Sequence, residues 1–197
     1  MRIFLDIILV ILAVDFGSGL LHWLEDSYGQ PHWPITGKWI TAPNILHHQA
    51  PSAFTENSWL RSAAVLLVIG AVIIGVAWLV GMLTWQFLLF VAIGINANEI
   101  HKWNHLPRKK RGRLVVALQD ARLLQSAKHH GKHHVGSKDT HYCVVTNLLN
   151  PVLDAIQFWQ VLEWVIERLL GVPKRPSFEV WPVARQVDKR KIWNKST

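Results

Sequence analysis

The feature that most constrains this chain is a long stretch without charge, because residues 62–98 contain no Asp, Glu, Lys or Arg. A helix that crosses a bilayer needs about 20 consecutive apolar residues, so this stretch has room for two crossings. We predict a helical hairpin whose first helix covers roughly residues 62–80 and whose second covers roughly residues 85–100. The connecting turn falls at residues 81–84, Gly-Met-Leu-Thr.

A third apolar block covers residues 3–24 and is interrupted by Asp6 and Asp15. A cleaved signal peptide is one interpretation of an apolar N-terminus that follows Met-Arg. The block is too long for the apolar region of a signal peptide and its aspartates do not fit one, so we favour a retained membrane helix. Asp15 is costly against lipid, so it should face the bundle interior and meet a hydrogen-bond donor there.

A fourth apolar block, residues 144–171, carries Asp154, Glu163, Glu167 and Arg168. Charges at helical spacing indicate either an interfacial amphipathic helix or a polar-faced crossing, and we favour the interfacial helix. The predicted fold is therefore all-α: an integral membrane bundle of about three to four membrane helices with one interfacial amphipathic helix.

The net charge of +8 is concentrated in two segments. The run Pro-Arg-Lys-Lys-Arg-Gly-Arg at residues 107–113 follows the second predicted crossing, and seven Lys or Arg residues occur from Lys174 onward. Basic residues flanking membrane helices stay in the cytoplasm, so both segments should be cytoplasmic and the N-terminus should lie opposite. We divide the chain into a membrane domain, residues 1–175, and a basic cytoplasmic tail, residues 176–197. Nucleic-acid binding is excluded, because no basic stripe alternates with exposed aromatics on a soluble scaffold.

The eleven histidines all lie outside the charge-free stretch, and most occur in clusters. Residues four apart share one side of a helix, which pairs His101 with His105 and His22 with Asp26. The same spacing pairs the histidines of the segment His-His-Gly-Lys-His-His, provided that Gly131 does not break the turn. The candidate metal ligands are His22, Asp26, His47, His48, His101, His105, His129, His130, His133 and His134. We interpret His32 and His141 as ordinary histidines.

Neutral imidazole is a ligand for iron, copper, zinc or nickel, and uncoordinated rings packed together would repel one another when charged. Nine imidazoles and a carboxylate can bind two metals and leave positions open, and two irons that activate O₂ are the natural candidate. Asp26 can ligate directly or orient His22. No catalytic residues beyond the ligands are predicted. Cys143 is the single cysteine, so the chain forms no internal disulfide and no cysteine-based metal site.

Several segments of residues 15–175 resemble the successive blocks of the Kua lipid desaturase family, which includes the plasmanylethanolamine desaturases. These segments are DFGSGLLHWLEDSYG, HHQAP, EIHKWNH, LQDARLLQSAKHHGKHH and YCVVTNLLNPVLDAIQFWQVLEWVIERLLGVPKR. The resemblance implies a membrane desaturase with a diiron centre, O₂ as co-substrate and electrons from a small carrier of the cytochrome b5 or ferredoxin type. Zinc can replace iron in a purified sample. The implied reaction forms the vinyl ether bond of a plasmalogen from an alkyl ether phospholipid.

The chain departs from the family pattern at Glu99, at Ser137-Lys138 and at His141, and these positions flank the histidine clusters. Desaturation of an acyl chain, or hydroxylation, therefore stays open as an alternative. A membrane metal-binding or transport protein is a third possibility, but the charge-free hairpin offers no polar path for an ion. We expect an integral membrane protein with its active site on the cytoplasmic face, in the inner membrane of a bacterium or the endoplasmic reticulum of a eukaryote.

Overall fold

A computed structural model describes residues 1–175, and the predicted basic tail lies outside the described residues. The described part contains helices and no strands. The α-helices are α1 (Arg2–Ser27), α2 (Ala42–Gln49), α3 (Pro51–Phe54), α4 (Trp59–Leu79), α5 (Trp85–Gly94), α6 (Ala97–His105), α7 (Arg113–Asp120), α8 (Ala127–His130), α9 (Leu149–Ala155) and α10 (Phe158–Leu170). A π-helical turn covers Gly37–Thr41 and a 3₁₀ turn covers Arg108–Lys110. The predicted all-α class is confirmed.

Two helices, α1 and α4, are long and apolar enough to cross a membrane. At 1.5 Å per residue, both are at least as long as the roughly 30 Å hydrocarbon core. Helix α1 is continuous through both of its early aspartates. Helix α4 begins where the Ser58 Oγ accepts a hydrogen bond from the Arg61 amide, at 3.4 Å. The apolar block at the N-terminus and the first half of the hairpin thus each form one helix.

The hairpin turn lies where the sequence predicts it. Helix α4 ends at Leu79, Gly81 adopts a left-handed φ of 68°, and α5 begins at Trp85. The two helices pack closely at Gly70, where an added Cβ would lie 2.8 Å from the Val91 Cγ1 atom. A side chain at this position would therefore separate them.

The second half of the hairpin differs from the prediction of one helix over residues 85–100. Helix α5 ends at Gly94, a turn covers Ile95 and Asn96, and α6 continues from Ala97. Glycine and asparagine are weak helix formers, and the Asn96 side chain also donates to the Ala92 carbonyl and accepts from the Trp59 indole. Helix α5 alone, with ten residues, is too short to span a bilayer. The number of crossings stays a prediction.

Asp15 faces the interior of the bundle, as predicted. It is fully buried, and its carboxylate accepts hydrogen bonds from the amides of Val145 and Thr146 and from the Thr146 hydroxyl, at 2.9, 3.1 and 2.5 Å. Residues 141–145 form a mostly buried, non-helical segment between α8 and α9. The aspartate therefore fixes this segment against the middle of α1.

The block at residues 144–171 is not one continuous amphipathic helix. Val144 to Thr146 lie in non-helical chain, and the helical part is divided into α9 and α10 at Gln157, which has a left-handed φ of 53°. Helix α10 has 13 residues, about 20 Å, which is shorter than the hydrocarbon core. Trp159 on α10 is buried, whereas Trp164 is 60% exposed. An interfacial position for this helix stays a prediction.

The chain returns to α1 after α10. The buried Arg175 guanidinium donates to the carbonyl oxygens of Asp26 and Gly29, and the Arg175 amide donates to the Ser27 carbonyl. Lys174 contacts the carboxylates of Asp139 and Glu163. These contacts hold the C-terminal end of α1, where the first candidate ligands lie.

The ends of the long helices divide the molecule into two sides. The Gln86 side chain, just after the hairpin turn, donates to Asp6 near the start of α1. At the other side, the Asn98 side chain donates to the Ser62 carbonyl and Lys102 donates to the Asn57 carbonyl. The end of α1, the start of α4 and helix α6 therefore lie on the same side, opposite the hairpin turn.

Candidate metal centre

Nine of the ten candidate ligands come together in two groups. In each group, one ligand atom per residue lies within 4.8 Å of the corresponding atoms of the others. The five-histidine group contains His47, His101, His105, His130 and His134. The aspartate group contains His22, Asp26, His48 and His133. Side chains that are far apart in the sequence thus meet at one end of the helix bundle.

Four segments supply the two groups. Helix α1 provides His22 and Asp26 one turn apart, and α6 provides His101 and His105 in the same way. Helix α2 provides one histidine to each group. Helix α8 and the turn after it provide His130 and His134 to the five-histidine group and His133 to the aspartate group. The two groups are direct neighbours, because the rings of His48 and His134 lie 5.0 Å apart and those of His22 and His101 lie 5.3 Å apart.

Three members of the five-histidine group converge on one nitrogen atom of a fourth. The His130 Nε2 atom lies 2.9 Å from the Nε2 atoms of His101 and His105, and 3.0 Å from that of His134. A neutral imidazole has one N–H, so these three contacts cannot all be hydrogen bonds. Adjacent ligands at right angles around a metal, each about 2.1 Å from it, lie about 3.0 Å apart. The spacing of the nitrogens therefore fits a metal site.

The aspartate group has its acceptor atoms directed inward. The Nδ1–H groups of His22 and His133 donate to the Tyr142 and Thr140 carbonyls, at 3.1 and 2.7 Å. In a neutral ring the Nε2 atom then carries a lone pair, and these two atoms lie 3.7 and 3.2 Å from the Asp26 Oδ2 atom. All three atoms are buried without a hydrogen-bond donor. A cation among them removes the repulsion between lone pairs, so this donor set also fits a metal.

The second carboxylate oxygen of Asp26 is held by neighbours. Its Oδ1 atom accepts from the Asn44 amide group at 2.5 Å and lies 3.1 Å from the His48 Nε2 atom. Asn44 is a residue of the candidate site that the sequence analysis missed. Its position three and four residues before His47 and His48 places all three on one side of α2. Asn44 thereby directs Oδ2 toward His22 and His133.

The electrostatics of the centre favour the neutral, metal-binding form of the rings. Burial, first, and then the neighbouring imidazoles hold the pKa of His47 well below its usual value. The same causes lower the pKa of His130 and of His134. Neutral imidazole is the form that binds metals, so these rings need not lose a proton at neutral pH to act as ligands.

His129 lies outside both groups, which corrects the predicted pairing of His129 with His133. Helix α8 ends at His130, and the chain continues in turns through residues 131–134. The His129 ring faces His141, with 4.9 Å between ring centroids, and its Nε2 atom lies 3.2 Å from the Asn150 amide nitrogen. His141, interpreted as ordinary, lies 2.7 Å from the Asp154 carboxylate, and His32 is exposed.

Comparison with known proteins agrees with this geometry. A family model described as the lipid desaturase domain matches residues 11–177. The chain belongs to the lipid desaturase family. The resemblance found in the sequence is therefore confirmed, and membership of a desaturase family implies oxidoreductase activity. With its two apolar helices, the family also indicates a membrane protein. No solved structure matches.

Three relatives illustrate the range of the family. Plasmanylethanolamine desaturase 1 of the mouse is 32% identical over 195 residues, which cover 91% of this chain and 70% of that protein. A probable fatty acid desaturase of Acanthamoeba polyphaga mimivirus is also 32% identical, over 89% of this chain and 88% of its own length. The chloroplastic fatty acid desaturase 4 of Arabidopsis thaliana is 31% identical, over 93% of this chain and 57% of its own length.

Proposed function

We propose that this protein is a membrane lipid desaturase that holds two iron ions, one in each group, and forms the vinyl ether bond of a plasmalogen from an alkyl ether phospholipid. The observation that carries the proposal is the meeting of nine buried or partly buried donors in two adjacent groups. Family membership supplies the reaction class, and a plasmanylethanolamine desaturase is among the relatives.

The metal ions, when bound, supply the activation of O₂ and the oxidation of a lipid C–H bond, which the side chains of the centre cannot perform. In the overall reaction, O₂ accepts two hydrogen atoms from the lipid chain and two electrons and two protons from outside, and leaves as two water molecules. The electrons come from a small carrier of the cytochrome b5 or ferredoxin type.

The protein's own residues orient the donors and exclude water. The carbonyls of Thr140 and Tyr142 fix which nitrogen of His133 and His22 faces the centre. Phe54 covers the five-histidine group, with its ring 5.1 Å from His47 and 5.2 Å from His101. The partly exposed rings are those of His105 and His134. We infer that lipid and O₂ approach from the side of these two rings.

The position of the centre supports an ether chain as substrate. His22 lies near the end of α1, and His101 lies one turn into the helix that follows α5. Both positions are where the chain leaves the apolar layer, close to the depth of the headgroups. The first two carbons of an ether-linked chain lie at the same depth, next to the glycerol. Acyl-chain desaturation is a second candidate, because two relatives of similar identity are named as fatty acid desaturases.

Expression in cells that lack plasmalogens tests the proposal. Cells supplied with an alkyl ether phospholipid should produce an acid-labile vinyl ether lipid when they express this chain. His101→Ala and His133→Ala, one from each group, should abolish the product because each removes a ligand. His32→Ala is the matched control and should leave the product unchanged, because that ring is exposed and outside both groups.

Lipid analysis of the same cells separates the two candidates. A new double bond in an acyl chain, with no vinyl ether, would assign the chain to the second candidate. Full turnover in both the His101 and His133 variants would contradict the metal centre itself.

A further inference from the structure

A basic groove lies at the 3₁₀ turn and the start of α7, in the part of the chain that follows α6. It has a volume of about 560 Å³ and is lined by Arg108, Lys109, Arg111, Arg113 and Val116. None of these residues belongs to the two ligand groups. The proposed reaction therefore does not account for four basic side chains around one groove.

The groove keeps most of its positive charge. Arg108 forms a two-pronged ion pair with Asp120, with N–O distances of 2.7 and 2.6 Å. Within residues 1–175, Asp120 is the one carboxylate that forms an ion pair with the basic residues of the groove. Four positive charges and one negative charge leave a net charge of +3. Like charges this close repel one another, so an anion in the groove is favourable.

Helix α7, beside the groove, presents an apolar face outward. Leu114 and Ala117 on α7 and Ala121 directly after it follow one another at helical spacing and are exposed, Leu114 by 72%. On the opposite face, Gln119 is buried. A short helix with an exposed apolar face and basic residues at its edge is typical of a helix that lies in the membrane interface. The occupant of the groove is therefore expected to combine negative charge with an apolar part.

Hydrogen bonds fix the groove to the metal centre. The Arg111 guanidinium donates twice to the Leu106 carbonyl, at 2.9 and 2.7 Å, directly after the ligand His105. Arg111 also donates to Gln119, whose amide donates to Asn104 and to the Gln125 carbonyl. Because Asn104 precedes His105 and Gln125 lies just before α8, a molecule bound in the groove has a fixed position relative to the centre.

We propose that this groove binds the phosphate of a phospholipid headgroup, and that α7 lies in the interface so that the lipid's own chains remain in the bilayer. The inference rests on the proposed function in treating the bound phospholipid as substrate.

Two other occupants of the groove fit less well. Residues 176–197 have five Lys or Arg residues against two carboxylates, so their net charge is positive like that of the groove and they are not expected to bind there. An acidic electron-carrier protein would complement the positive charge of the groove, but its binding would not account for the exposed apolar side chain of Leu114.

Binding of short-chain lipids to the purified full-length protein tests this site without turnover. The probes are dihexanoyl phosphatidylglycerol, dihexanoylglycerol without phosphate, and inorganic phosphate. The wild type should bind the phosphatidylglycerol, and Lys109→Gln/Arg113→Gln should bind it roughly tenfold more weakly. The double variant Lys38→Gln/Arg168→Gln removes the same charge elsewhere and should bind like the wild type. Leu114→Gln, which keeps every charge, should also weaken lipid binding.

Three other outcomes would overturn the site. Equal binding by the Lys109/Arg113 variant and the wild type would show that the lipid binds elsewhere. Equal affinity for inorganic phosphate and for the lipid would assign the groove to free phosphate. Unchanged lipid binding together with a higher half-saturating concentration of an acidic electron carrier would assign it to protein docking. A wild type that binds the lipid as expected but yields no desaturated lipid would contradict the proposed function and leave the site intact.

Discussion

The backbone carbonyls of Thr140 and Tyr142 fix which ring nitrogen faces Asp26 in two histidines that are far apart in the sequence. Their hydrogen bonds to the Nδ1 atoms of His133 and His22 leave the Nε2 atoms of both rings directed at Asp26. Each candidate ligand atom and the carbonyl that orients its ring thus come from different segments. The non-helical segment at residues 140–142 therefore orients two of the four members of the aspartate group.

Metal content distinguishes His133 from His129, which are both in the histidine-rich segment. We expect His133→Ala to lower the metal bound per chain, because it removes one of four donors from the aspartate group. His129→Ala should retain the wild-type metal content, because His129 lies against Asn150 and His141, outside both groups. Elemental analysis of the purified variants measures this difference. Equal losses in the two variants would make His129 a ligand.

The clusters of histidine in an otherwise apolar chain indicated which side chains lie together, and nine of the ten candidates do so in the structure. Their binding of metal stays a prediction. The predicted pairing of His129 with His133 is absent because α8 ends at His130 and the His129 ring faces His141. His130 and His134 have the same spacing and still meet, with ring centroids 4.8 Å apart. Asn44, the partner of Asp26, was missed because its spacing to His47 and His48 indicates a shared side of α2 but no contact with α1. Its role depends on the tertiary position of α2 against α1.

Asp15 makes a testable contribution to stability. In Asp15→Ala, the amides of Val145 and Thr146 lose their acceptor in a buried position, and each unsatisfied group costs about 1–3 kcal/mol. We expect a lower thermal unfolding midpoint for the protein in detergent. Asp6→Asn on the same helix is the control, because Asp6 has one long contact, at 3.2 Å to Gln86, and its loss should change the midpoint little. A midpoint for Asp15→Ala equal to that of the control would contradict this role.

At the scale of helices, hydropathy located the elements but not their ends. The charge-free stretch correctly indicated α4, the turn at Gly81 and the start of α5. It did not indicate the break at Ile95 and Asn96 or the one at Gln157, because a local backbone conformation changes at these points without a change in hydropathy. The break after Gly94 has a consequence for the centre, since α6 can then direct His101 and His105 independently of α5.

Arg175 is predicted to position the end of α1. Its guanidinium donates hydrogen bonds to the carbonyl oxygens of Asp26, in the last turn of α1, and of Gly29, just after the helix. Because α1 ends at Ser27, no following helical turn supplies a donor for these oxygens. Arg175→Ala should weaken metal binding, because Asp26 and His22 lie on the helix end that it holds, and should lower stability by about 1–3 kcal/mol. Arg175→Lys should recover part of both effects. The measurements are metal affinity, by competition with a chelator, and the unfolding midpoint.

A purely structural role for Arg175 would give a different result. The unfolding midpoint would fall, and the affinity for metal of the folded fraction would stay at the wild-type value. Arg168→Ala serves as the control, because this arginine is exposed on α10 and contacts the Trp164 ring.

At the scale of the whole molecule, the outer surfaces of α1 and α4 are apolar, and their exposure to water would be unfavourable. On α4, Val68, Val72 and Val76 are more than half exposed and recur every four residues, which forms an apolar stripe along one side of the helix. On α1, Phe4 and Leu5 are similarly exposed near the N-terminus. The polar donors, in contrast, are buried at one end of the bundle. This distribution suits a protein whose helices are covered by lipid and whose reactive centre lies at one edge of the bilayer.

The last prediction concerns which side of the membrane that edge faces. The basic residues 108–113 follow α6 directly, so the rule that positive segments stay in the cytoplasm assigns the metal centre to the cytoplasmic side. The turn at Gly81 lies at the opposite end of the bundle and is expected on the other side. Labelling of single introduced cysteines in sealed vesicles can distinguish the two sides. The native Cys143 is fully buried, so it should react little and can stay in place.

A membrane-impermeant maleimide should react with Ser137→Cys only from the cytoplasmic side and with Met82→Cys only from the opposite side. Both positions are exposed, and Ser137 follows the histidine segment, whereas Met82 lies in the hairpin turn. Reaction of both variants from one side would mean that the hairpin does not cross the bilayer. Reaction from exchanged sides would place the centre away from the cytoplasm. A cytoplasmic electron carrier could then not reach it, so the orientation and the proposed source of electrons depend on the same measurement.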